Sequence, residues 1–206
     1  MPRDATDTRD RLLTEAERVF AVRGVHQATT REITEAAGQR NTSALTYHFG
    51  SRTGVLREIL LRHGDPLDEE RGRFLVAPVE QHTTRTLVAA LVLPYAACLH
   101  TPSGRNYLRI IPQLADQFPT WRVEDELSPP NLRRILSELE CRARNDDAVG
   151  RERVIGAIML LTTAMAARAR AIDLAVKTDL DERRFVANLV DMLVAVIEAP
   201  AGPPPP

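Results

Sequence analysis

The sequence predicts an all-α protein. Three observations predict it: apolar residues recur at three- and four-residue intervals, helix-start and helix-stop residues mark the segment boundaries, and no run alternates in the manner of a strand. Short helices fill the first quarter, and longer amphipathic helices separated by proline-marked breaks fill the rest. At 206 residues the chain is long enough for one small and one larger domain.

Between Thr8 and Arg23, the residues Leu12, Leu13, Ala16, Val19 and Phe20 share one helical face, and Gly24 supplies the stop. Thr29-Thr30-Arg31-Glu32 has the form of a capping box, in which hydroxyl and carboxylate each satisfy the other residue's amide. It predicts a short second helix to about Ala37, ended by Gly38, with Ile33, Ala36 and Ala37 inward. Asn41, Thr42 or Ser43 can each cap a third short helix, Ala44 to His48, ending at Phe49-Gly50. Ser51 opens a fourth through Arg52, Val55, Leu56, Ile59 and Leu60, predicted to stop near His63-Gly64. Two short helices at a turn, braced by a longer one, make a helix-turn-helix.

From Leu67 onward, breaks are expected at Pro78, Pro102, Pro112, Pro119 and Pro129-Pro130, while Pro94 should kink the run Leu87 to His100 or shift its start. The last two helices, about Gly150 to Ile172 and about Asp181 to Glu198, have apolar faces wider than one monomer core needs. They predict a homodimer whose four-helix interface uses Ile158, Leu161, Val186, Val190, Leu193 and Ile197. The polyproline end is expected to be disordered. The division expected is 1–51 as a helix-turn-helix domain, 52–199 as a helical ligand-binding and dimerisation domain, and 200–206 as tail.

Charge and composition narrow the function. The net charge of −1 divides unevenly: residues 1–64 hold ten arginines against eight acidic residues, and the remainder is net acidic. The start, MPRDATDTRDR, has no apolar leader, and Cys98 and Cys141 lie far apart, so reduced thiols and a cytoplasmic location are expected. The longest apolar stretches, Val154 to Ala167 and Leu87 to Leu99, fall short of the roughly 20 residues that span a bilayer, so no membrane partner is expected. The histidines His26, His48, His63, His82 and His100 show no metal-ligand spacing, and neither a glycine-rich phosphate loop nor a Gly-x-Ser-x-Gly elbow occurs. Cys98 and His100, two residues apart on a helix, diverge. No enzymatic, cofactor or metal site is expected.

Residues 8–62 combine Phe20-x-x-x-Gly24, the Thr29-Thr30 helix start, Ile33 with Ala36-Ala37-Gly38, the box Tyr47-His48-Phe49, and Arg52. In this order they resemble the DNA-binding domain of the TetR family of bacterial transcription regulators. The turn Gln39 to Thr46 is eight residues, one longer than is common in that family. The resemblance implies a repressor that binds a palindromic double-stranded operator as a homodimer and is released by a small apolar effector. The alternative is a DNA-binding regulator with no small-molecule ligand.

Short polar groups at the start of a recognition helix suit base edges, which marks Arg40, Asn41, Thr42 and Ser43. Hydroxyls and free amides at Thr29, Thr30, Arg52 and Thr53 suit phosphate, with Arg31, Thr46, Tyr47 and His48 completing the DNA-facing set. In the family's layout the middle helices surround a cavity, so Tyr95, Cys98, Tyr107 and Trp121, with Met159 and Met165 from the dimer helix, are candidate pocket residues. Plain core packing is the competing reading for each.

Overall fold

The computed structural model describes residues 2–39, 41–115, 129–143 and 147–200, and every regular element among them is helical. The end of the polyproline tail lies outside these residues. Helix α1 (Pro2–Arg23) starts earlier than its apolar stripe and ends at Gly24, whose φ of +100° only glycine adopts without strain. Helix α2 (Thr30–Ala36) follows its capping box. Ile33 and Ala37 are buried as expected, but Ala36 is exposed. The third inward residue is instead Thr34, whose hydroxyl donates back to the carbonyls of Thr30 (3.0 Å) and Arg31 (2.9 Å).

Helix α3 (Ser43–Phe49) is short, and α4 (Arg52–Phe74) corrects the sequence reading most. It does not stop at Gly64 but runs ten residues further, through Pro66. An interior proline costs about 3 kcal/mol. Packing offsets that cost: Leu67 is buried, and Asp68 caps α7 (Pro130–Arg142), accepting from the Leu132 amide at 2.8 Å and the Asn131 amide at 3.0 Å.

Helix α5 (Thr84–Ala97) likewise runs through Pro94 and closes in a 3-10 turn, Cys98–His100. Helix α6 (Pro102–Ile110) has proline in its first turn and is capped by Thr101, whose hydroxyl accepts from the Gly104 amide at 3.0 Å. A hypothetical Cβ on Gly104 would stand 2.2 Å from the Cys98 carbonyl, so only glycine allows this junction. Helices α8 (Asp147–Asp173) and α9 (Glu182–Glu198) complete the described chain.

Two apolar clusters form. In the first, Ala16, Phe20, Ile33, Leu45, Val55 and Ile59 pack together, joined by Ile110 and Leu114 from the end of α6 and the turn after it. In the second, α4 to α9 enclose residues such as Leu87, Leu108, Ile135, Met165 and Leu193. Leu60 of α4 packs against both. Residues 148–173 of α8 are long and apolar enough to cross a membrane by length and composition, which the sequence reading did not expect of any stretch. Here one side of α8 (Val154, Leu161, Met165, Ala169) is buried, while Gly156, Met159, Thr163 and Ala167 face outward.

Candidate nucleic-acid interface and ligand cavity

The helix-turn-helix is set by local chemistry. The Thr29 hydroxyl accepts from the Glu32 amide at 3.2 Å, and the Glu32 carboxylate accepts from the Thr29 amide at 2.9 Å. That second bond holds the Glu32 carboxyl below its usual range. Arg31 is exposed and donates to Glu35 at 2.6 Å, which raises its guanidinium pKa. Thr30 is half-buried.

Asn41 accepts the Ser43 amide at 2.9 Å and so starts α3, while Thr42, the residue before the helix, makes no side-chain cap. Leu45 anchors α3 in the first cluster. The opposite face presents Ser43, Thr46 and Tyr47, spaced three and four residues apart, with Tyr47 82% exposed. Asn41 and Thr42 are exposed beside them, His48 is half-buried, and Arg40 lies outside the described residues.

The junction to α4 is tight. Ser51 accepts the Gly54 amide at 3.0 Å, and a Cβ on Gly54 would stand 2.0 Å from the Phe49 carbonyl. Thr53 is exposed at the start of α4, but Arg52 turns inward. Its Nη1 donates to the Val25 carbonyl and, at 3.4 Å, to that of Ala28, and its guanidinium lies 5.9 Å from the centroid of the Phe20 ring. These bonds brace the α1–α2 loop through Arg52, a residue the sequence marks as phosphate-facing.

The second feature is a cavity of about 450 Å³, open on one side, between α4, α5 and the start of α6. Pro66, Leu67, Phe74, Leu93, Pro94 and Ala97 give it apolar walls, His63, Cys98 and Thr101 add polar atoms, and Arg62 and Glu70 add one charge of each sign. Of the pocket residues expected from sequence, Cys98 alone lines it. Tyr95 and Tyr107 are buried behind it, with ring centroids 6.1 Å apart, and the Tyr107 ring stacks on His63 at 4.6 Å. Burial pushes the Cys98 thiol up to about 11 and the Tyr107 hydroxyl up to about 12. Met165 is core, Met159 faces outward, and Trp121 lies outside the described residues. Sequence reading missed the α4 wall because it ended that helix at Gly64.

Residues 12–59 match the family model of bacterial regulatory proteins, tetR family, which covers α2 and α3 and much of α1 and α4. The chain carries a tetR-family regulatory region at residues 12–59. No curated protein matches it by sequence. Among solved structures, a Rhodococcus sp. protein ascribed to TetR-family transcriptional regulators is similar at 17% identity and TM-score 0.53, covering 93% of this chain and 99% of that one. A TetR-family transcriptional regulator from Streptomyces coelicolor is similar at 19% identity and TM-score 0.51, covering 93% of this chain and 95% of that one. Likeness at this level speaks for the fold alone, an all-helical one shared over 93% of this chain.

Leu161, Val186, Val190, Leu193 and Ile197 are buried in the chain's own second cluster, and Ile158 is half-buried against it. Helical periodicity identifies an apolar face without saying which partner covers it. The other side of α8 and α9 is exposed, with Met159 and Met192 at 48% and 42%.

Proposed function

We propose that this regulator is a repressor, acts in the cytoplasm as a homodimer on a palindromic operator, and is released when a small molecule occupies the cavity between α4 and α5. The observation that carries the reading is the continuity of α4. Its first half contributes Val55 and Ile59 to the core beneath α3, and its second half supplies His63, Leu67 and Phe74 to the cavity wall. An occupant that displaces the wall must therefore move the helix on which α3 rests. The division of labour falls within α4, with the DNA-reading unit extending past residue 51 into it.

Ser43, Thr46 and Tyr47, with Asn41, Thr42 and Arg40 before them, are proposed to enter the major groove. Thr29, Thr30, Arg31, His48 and Thr53 are proposed to face phosphate. Arg52 is assigned to bracing. The dimer is proposed to form through the outward faces of α8 and α9, around Gly156, Met159, Thr163, Met192 and Ala195, because an exposed apolar helix side of this length favours a covering partner.

The test is selection of bound sequences from random duplex DNA, followed by affinity measurement with and without cavity ligands. An inverted repeat with half-sites about 34–36 Å apart supports the reading. Ligands that stabilise the protein yet leave operator affinity unchanged would favour a regulator that senses nothing.

A further inference from the structure

The apolar walls of the cavity hide a cation. Arg71 lies on the same face of α4 as His63, Leu67 and Phe74, all of which line the cavity, at helical spacings of eight, four and three residues. Its side chain is only 8% exposed. The nearest carboxylate, Asp68, stands 3.8 Å away, beyond hydrogen-bond reach, and its oxygens already accept from the Asn131 and Leu132 amides. Arg71 Nε is buried with no hydrogen-bond partner. The Tyr95 hydroxyl, also fully buried, has none either. Tyr95, Tyr107 and Cys98 all interact electrostatically with the guanidinium; Cys98 lines the cavity, whereas Arg71 and Tyr95 are buried and outside its lining.

A buried guanidinium without an acceptor is costly, and so is a buried hydroxyl without a partner. Both costs fall if an acceptor enters from the cavity. With the lining charges of Arg62 and Glu70 offsetting each other, the Arg71 guanidinium and the unpartnered Tyr95 hydroxyl match a single negative charge spread over two oxygens, since a guanidinium is shaped to bind a carboxylate. A phosphate dianion fits less well, with Asp68 3.8 Å from the guanidinium and Glu70 lining the cavity.

We infer that Arg71 and Tyr95 form an anion-binding end to this cavity, so that the effector is an amphipathic organic carboxylate whose apolar body lies along Leu67, Phe74, Leu93 and Pro94. The inference rests on the effector reading above and sharpens it, replacing an apolar ligand with an acidic one.

The probes are decanoate, 1-decanol and decylamine, with 2-naphthoate and 2-naphthamide as a rigid pair, titrated into the full-length protein by calorimetry. At least one carboxylate should bind roughly ten- to a hundredfold tighter than its neutral analogue. Arg71→Met should erase that preference while keeping affinity for the neutral probes. Its fold is expected to persist, because an apolar side chain of similar length replaces a buried charge. Tyr95→Phe, a gentler change, should reduce the preference in part. Equal affinity for carboxylate and neutral probes, a preference that survives Arg71→Met, or no binding of any probe would each overturn the inference. Operator affinity separates it from the broader reading. Carboxylates that bind through Arg71 without releasing DNA would leave this site standing and remove induction, whereas release by 1-decanol alone would do the reverse.

Discussion

Glu17 of α1 and His63 of α4 meet at 2.8 Å, from carboxylate Oε2 to imidazole Nε2. Glu17 is buried, and its other oxygen, Oε1, has no partner. His63 also lies 3.3 Å from the Ser103 hydroxyl and lines the cavity. This pair ties the cavity wall to the first helix of the DNA-reading unit. His63→Ala should cost about 1–3 kcal/mol, because it strands a buried carboxylate. Urea denaturation of His63→Ala, Glu17→Gln and the double variant gives the coupling. A value near zero would show that the contact does not hold α1 to α4.

Arg52→Ala should lower stability by about 1–3 kcal/mol through loss of its bonds to the Val25 and Ala28 carbonyls. The slope of operator affinity against salt should stay nearly unchanged, since no phosphate contact is lost. A slope reduced by about one unit, with unaltered melting, would return Arg52 to the phosphate-contacting set.

Met159→Arg should yield folded monomers, because it charges the outward face of α8. Val190→Arg should instead unfold the chain or cost more than about 3 kcal/mol, because Val190 belongs to the internal core. Sedimentation velocity with circular dichroism distinguishes the two. A folded monomer from Val190→Arg and an intact dimer from Met159→Arg would reverse the assignment.

Cys98 and Cys141 should differ sharply toward iodoacetamide. With its thiol pushed up to about 11, only about one Cys98 in a thousand is ionised at pH 8, whereas Cys141 is exposed. Mass spectrometry should find Cys141 alkylated first, and a cavity ligand should slow Cys98 further. The raised folded pKa makes the associated stability full below the ordinary cysteine value and lost as pH rises toward about 11. The wild type should therefore lose more stability than Cys98→Ala across that alkaline window.

Locally determined features were legible in the sequence. The Thr29–Glu32 capping box, the glycine stop at Gly24 and the Ser51 cap each depend on residues a few positions apart, and each appears in the fold. What depended on tertiary partners was not. Gly64 and Pro66 look like a helix end, and only Asp68 reaching the start of α7 explains why α4 continues. The same limit hid the cavity, whose α4 wall begins at Arg62, just before the expected stop. It also left open what covers the apolar stripes of α8 and α9, five of whose six expected dimer residues are buried in the chain's own second cluster.

Pro66 has a mechanical consequence. Helix α4 has 23 residues and is therefore about 34 Å long. A swing of about 5° around its midpoint moves each end by about 1.5 Å, or about 3 Å between the two copies of a symmetric pair, against a half-site separation of about 34–36 Å. A helix is stiff because its hydrogen-bond ladder is continuous, and Pro66 deletes one rung between the DNA-side core and Arg71. Part of any stroke delivered at the cavity is therefore absorbed in bending before it reaches α3. The gain of the proposed switch is set by one ring: Pro66→Ala makes the helix stiffer, and although Pro66 also lines the cavity, comparison at matched occupancy should show a larger loss of operator affinity.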